Sequence, residues 1–169
     1  MYTIAKYTLF FIFYSALGAV AETLYRLATE HQLYGVHGFL HLPILPIYGV
    51  GALLIIVLLG SRIKHPALLF VLAAVLASIV EFIAHWLIEV IFGVWIWGYE
   101  HHMFNLFGRI SLASSIAFGV VALAIVYFIH PRLVKIVTSI PKKVMLLTAS
   151  ILGVIVIVDI VVSIFERLP

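Results

Sequence analysis

Long apolar stretches separated by short clusters of Pro, Gly, Lys and Arg divide the chain into five segments, at about 5–28, 44–60, 66–92, 108–130 and 143–166. Each approaches the roughly 20 residues that a helix needs to cross a bilayer. The pattern predicts an all-α polytopic membrane protein, a bundle of five transmembrane helices forming a single domain over residues 1–169. The opening run, MYTIAKYTLFFIFYSALGAVAE, imitates a secretory signal: one lysine, an apolar stretch, then Ala19-Val20-Ala21. It reads here as the first span. The second span opens after Pro43 and Pro46 and ends at Gly60. The third opens at Pro66 and is long enough to require tilt. Pro131 is expected to end the fourth, and the fifth starts after Pro141.

Composition sharpens this picture. The chain is 65% apolar and 10% charged, with a mean hydropathy of +1.26; soluble domains run near half apolar and a quarter charged. No room is left for a soluble catalytic domain. Cysteine is absent, which excludes disulfides, thiolate metal ligands and cysteine nucleophiles. The net charge of +3 comes without any basic run interleaved with aromatics, so no nucleic-acid partner is expected. Lys6, Arg62, Lys64, Arg132, Lys135, Lys142 and Lys143 fall on one side of the predicted topology, and Arg26, Arg109 and Arg167 on the other. That bias places the N-terminus in the cytoplasm and the C-terminus outside.

The scarce polar residues are themselves patterned. EFIAHWLIE sets Glu81, His85 and Glu89 four residues apart, on one stripe of the third helix. Glu22 and Arg26 form an i, i+4 pair in the first. Tyr48, Gly49 and Gly51 open the second; Asn105 and Arg109 stand at the mouth of the fourth, and Gly108, Ser111, Ser115 and Gly119 give a small-residue stripe suited to close helix contact. In the expected topology these groups reach one depth on the outer side. An ionised side chain near mid-bilayer costs roughly 2.5–3.5 kcal/mol on insertion scales, so such groups face partners or water. The expectation is a polar pocket of Glu22, Arg26, Tyr48, Glu81, His85, Asn105, Arg109 and Ser111, against the plainer alternative of an ion-pair staple. Two acids (Glu22, Glu81) and two cations (Arg26, Arg109) could then neutralise one another, with Glu89 snorkelling to the interface.

Other features carry less. Glu81, His85 and Glu89 have the residue types of a metal half-site, but di-metal bundles use Glu-x-x-His on two helices; no metal is expected. Trp86, Trp95, Trp97 and Tyr99 fit an outer aromatic belt. His101 and His102 are neighbours that diverge, and His31, His37, His41 and His65 read as loop or interfacial residues. Asp159, alone in the fifth span, is expected to pair with a neighbouring helix, the less favoured alternative being that it marks a second polar spot. No P-loop, G-x-S-x-G or H-E-x-x-H motif occurs, so no cofactor is expected and any ATPase belongs to another polypeptide.

The segments FFIFYSALGAVAETLYRL, HGFLHLPILPIYGVGALL, ASIVEFIAHWLIE, WIWGYE and FNLFGRISLASSIAFG together resemble the bacterial CmpB-like family of type IV ABC-transporter proteins. The resemblance covers about residues 8–135. Its most specific pieces are Pro43-x-x-Pro46-Ile47-Tyr48-Gly49 and Asn105-Leu106-x-Gly108-Arg109-Ile110 after Trp97-x-Tyr99; Glu22 and Glu81 match family acids. His37 and Leu42 depart from the arginine and glycine usual before and within the proline motif. The resemblance implies a permease-like role in the bacterial cytoplasmic membrane, with membrane lipids around it and a separate ATPase subunit or a homo-oligomer as partner. Two other readings stand beside it: an intramembrane enzyme or binding protein acting on a lipid headgroup, and a structural accessory protein. Enzymatic activity is the less favoured. The apolar inner halves, LLFVLAAVLA and VVALAIVYF, argue for a one-sided pocket over a continuous path.

Overall fold

The computed structural model describes residues 1–30 and 39–168. Its elements are α1 (Tyr2–Glu30), α2 (Pro46–Leu54, continued in π geometry over Ile55–Gly60), α3 (Pro66–Phe92), a hairpin of β1 (Asn105–Leu106) and β2 (Ile110–Ser111), α4 (Leu112–Ala124, continued in π geometry over Ile125–Ile129), α5 (His130–Ser139) and α6 (Lys142–Arg167). Among the described residues four helices are long and apolar enough to cross a membrane: Tyr2–Leu27, Pro66–Phe92, Leu112–Ser139 and Lys142–Arg167.

One expected span is short and one expected helix end is corrected. The second segment is helical only over Pro46–Gly60, a rise of about 22 Å at 1.5 Å per residue, short of the roughly 30 Å hydrocarbon core. The preceding Phe39–Leu45 is non-helical, and Pro46 disfavours the helical region for Leu45 before it, so the helix starts at the proline. The fourth helix does not stop at Pro131 but runs to Ser139. The wide turns at Ile125–Ile129 lie directly before the proline, and the His130 N–H reaches back to the Ile125 carbonyl. A proline ring ordinarily collides with the carbonyl four residues earlier; a widened turn opens that spacing, so the helix passes through.

The chain forms two compact units, one of residues 1–50 with 133–169 and one of residues 51–132. In the first, α1 and α6 run parallel. The Lys142 ammonium lies 5.8 Å from the Tyr2 ring centroid, a Cβ at Gly153 would meet the Thr8 methyl at 3.6 Å, and Phe11, Ile12 and Ala16 pack with Val156 and Ile160. The non-helical segment enters this contact: Leu40 and Ile44 are buried in it, and the Leu45 N–H donates to the Ser15 carbonyl at 3.0 Å. The backbones of α1 and α2 come so near that a Cβ at Gly49 would sit 2.2 Å from Ser15 Oγ, and one at Gly18 2.4 Å from Tyr48 Cβ. Small residues are required there, as in other lipid-embedded helix contacts.

In the second unit α3 and α4 are antiparallel. Ser78 and Ser115 hydroxyls meet at 2.7 Å, and Gly119 is covered by the Phe70 ring. Ile55, Ala73 and Ala122 form the core with Leu59, Leu76 and Val126. Ser111 starts α4 through a reciprocal capping box with Ser114. Large apolar side chains stand exposed along both long helices that carry the sites, Val75, Ile79 and Ile83 on α3 and Leu147, Ile151 and Val158 on α6. Lipid gives such faces no reason to pack, so close small-residue contacts and polar bonds hold the helices together.

Candidate polar sites in the two units

In the second unit, residues 93–111 turn back along α3 and are gripped by its polar stripe. Gly93, at φ +65°, ends the helix and starts the reversal. The His85 ring nitrogen Nε2 donates to the Trp97 carbonyl at 2.9 Å; a carbonyl only accepts, so this bond fixes the proton on Nε2. Trp95 and Trp97 stand edge-to-face with the imidazole, at 4.7 and 5.1 Å between centroids. One turn earlier on α3, the Tyr99 hydroxyl donates to Glu81 at 2.8 Å. One turn later, Arg109 pairs with Glu89 while its guanidinium lies 5.5 Å over Phe82 and 5.8 Å over Trp95. The three stripe residues foreseen on α3 thus each hold a different part of the returning segment.

Hydrogen-bonding capacity is left over in this cap. His85 is 2% exposed, and its Nδ1 has no hydrogen-bond partner; neither do the buried Trp97 Nε1 and Arg109 Nε. Asn105 is spent on the loop itself, donating to the Glu100 and His102 carbonyls and accepting from the Gly108 N–H. Gly108 holds φ +67°, and a Cβ there would meet Glu100 Cγ at 2.9 Å. Ser111, 2% exposed, serves the helix start. Glu89, expected to snorkel or lie at the interface, is the partner of Arg109, because the returning segment brings that arginine to the last turns of α3. Trp95, Trp97 and Tyr99 belong to the cap and not simply to an aromatic belt.

In the first unit, Arg26 Nε and Glu22 Oε1 meet at 2.9 Å, as the spacing foresaw, and the Tyr48 hydroxyl donates to Glu22 Oε2 at 2.8 Å. Ser15 Oγ is buried against Gly49 without a hydrogen-bond partner. A second polar cluster gathers at Asp159, the less favoured of the two readings of that residue. Asp159 accepts the backbone N–H groups of His41 and Leu42, at 3.2 and 3.0 Å, and its Oδ1 lies 3.0 Å from His41 Nδ1. His41 Nε2 faces Glu166 at 3.0 Å, and Ser163 Oγ approaches Nδ1 at 3.1 Å. Asp159 therefore pairs with the non-helical segment, not with another helix. The cluster borders an open groove of about 550 Å3, walled by Leu42, Val158 and Val162. His31 and His37 lie outside the described residues.

Among the described residues no group of three His, Asp or Glu side chains is placed to share a metal ion. At His41 the reason is plain, since the two acids address opposite ring nitrogens and have no common centre. The arrangement does two things chemically: it satisfies backbone amides that lipid cannot solvate, and, around His85, it presents unfilled donors and an unfilled acceptor. A lone aspartate in an otherwise apolar helix was the visible signal for the first.

Among curated proteins and among solved structures nothing matches the chain significantly. The profile of a family described as "Putative ABC-transporter type IV" matches residues 9–164, from the second turn of α1 to the last turn of α6, and the chain belongs to that family.

Proposed function

We propose that the protein is the membrane-spanning subunit of a transporter, seated in the bacterial cytoplasmic membrane with its N-terminus inside and driven by an ATPase on a separate polypeptide. The family supports a transport role, and the sequence holds no nucleotide-binding motif of its own. The architecture supports it too. Irregular backbone beside membrane helices persists where protein buries it or where it lines a cavity, and transporters build substrate sites from such interrupted segments. Both units carry one.

The observation that carries the reading is the unfilled capacity around His85. Each buried polar group left without a partner costs about 1–3 kcal/mol. A solute group offering both a donor and an acceptor, such as a hydroxyl or an amide, would fill His85 Nδ1 together with Trp97 Nε1 or Arg109 Nε. In this reading Glu81, His85 and Arg109 meet the solute, Asn105 and Ser111 shape the cap, and Glu22, Arg26 and Tyr48 form a supporting staple in the first unit.

The test is purification of the tagged protein at native expression level in mild detergent, followed by an ATP-hydrolysis assay across a panel of polar solutes. The expected result is a co-purifying P-loop subunit whose hydrolysis one solute class stimulates, with stimulation lost in His85→Phe while the complex stays intact. Absence of any ATP-hydrolysing partner would overturn the subunit reading. Undiminished stimulation in His85→Phe would move the solute elsewhere.

A further inference from the structure

We propose that His41 is a proton-operated latch, pinning the non-helical segment Phe39–Leu45 to α6 when its imidazole is charged and loosening it when the charge is lost. This goes beyond the transport reading and stands independently of it. The argument begins with valence. A carboxylate accepts hydrogen bonds and cannot donate them, yet Asp159 faces Nδ1 at 3.0 Å and Glu166 faces Nε2 at 3.0 Å. A neutral imidazole carries one N–H, so one of those contacts would set a lone pair against an anionic oxygen. Both are satisfied together only by the imidazolium.

The surroundings make the proton consequential. Among the described residues the charged groups of the cluster are Asp159, Glu166 and Arg167, all on α6. The Arg167 guanidinium lies 5.0 Å over Phe39 and donates to the Ser163 carbonyl. From α1 the same contact receives Phe11, Ile12 and Ala16, none of which titrates. On loss of the proton, one imidazole–acid bond turns repulsive, and the Ser163 hydroxyl, which can donate to a bare Nδ1, competes for the ring. Asp159 keeps the two backbone amides, so the segment relaxes without the unit coming apart. The sign follows: the closed state binds the extra proton, so the latch is complete on the acid side and weakens as pH rises. His41 is suited to this because its side chain is half exposed, leaving the proton a way in and out.

The absence of cysteine gives a clean experiment. A thiol introduced by Leu40→Cys, at a position 5% exposed, reacts with a water-soluble methanethiosulfonate only when the segment opens. Its rate is divided by that of Met103→Cys, a position 80% exposed, to remove the intrinsic pH dependence of thiols. The expected ratio rises severalfold between about pH 5.5 and about pH 8, and is high and flat when His41→Gln is added. A flat ratio with His41 in place, or the same slope after His41→Gln, overturns the latch. If Leu40→Cys fails to fold by size exclusion, Ile44→Cys, 7% exposed on the same segment, replaces it. Glu166→Gln, which leaves the backbone contacts of Asp159 in place, is expected to shrink the swing without abolishing it.

Discussion

The two units solve one problem in two ways. Each carries a stretch of irregular backbone laid against a long apolar helix, and each joins a helix-borne glutamate to a tyrosine hydroxyl from later in the chain, Glu22 with Tyr48 and Glu81 with Tyr99, both at 2.8 Å. The grip differs. In the first unit an acid takes the backbone directly, with Asp159 on two successive amides. In the second, side chains meet side chains and one carbonyl, leaving ring and guanidinium nitrogens over. A carboxylate saturated by amides is a fastening; the cap around His85 instead keeps spare donors and a spare acceptor.

The comparison breaks first at Asp159. Asp159→Ala strands two amides and an imidazole, and thermal unfolding in detergent should register a loss of about 2–4 kcal/mol; Asp159→Asn, which keeps one acceptor oxygen, should recover part of it. A loss no larger than that of an exposed substitution would mean the amides find other partners. Arg109→Ala comes next, because it leaves Glu89 facing the cap alone. Its effect should combine with that of Glu89→Gln to clearly less than the sum, whereas Glu81→Gln with Arg109→Ala should come closer to additive; melting temperatures of the three single and two double variants decide it. Gly49→Ala forces a methyl against Ser15 Oγ and the Phe11 carbonyl, an overpacking worth about 1–3 kcal/mol. The smallest effect belongs to Gly51→Ala, two residues on, where a Cβ meets nothing within 4 Å; helix propensity alone should stabilise by about 0.5–1 kcal/mol. Equal outcomes at Gly49 and Gly51 would deny the close α1–α2 approach.

Periodicity announced the helices and the i, i+4 relations within them, so Glu22 with Arg26, the α3 stripe and the small-residue face at Gly119 were all legible. Partners across irregular backbone were not. Arg109 and Glu89 lie twenty residues apart and His41 and Asp159 more than a hundred, and no repeat links residues that meet only because a loop doubles back. The second segment was placed within two residues of its helix, Pro46–Gly60, but hydropathy sees the apolar Ile44 and Leu45 and not the turn at Pro43 that keeps them outside it. Pro131 misled because a proline reads as a stop unless the turn before it is widened, and wide turns leave no mark in composition.

The amides of His41 and Leu42 also set an order of manufacture. Their acceptor is translated 117 residues after Leu42, on α6. Residues 51–132 are contiguous and can settle as they emerge, whereas the opening fifty must wait, their irregular stretch unsheltered, until α6 arrives. A nascent chain arrested before α6 therefore displays bare peptide groups to the membrane and stands as a natural substrate for quality-control proteolysis.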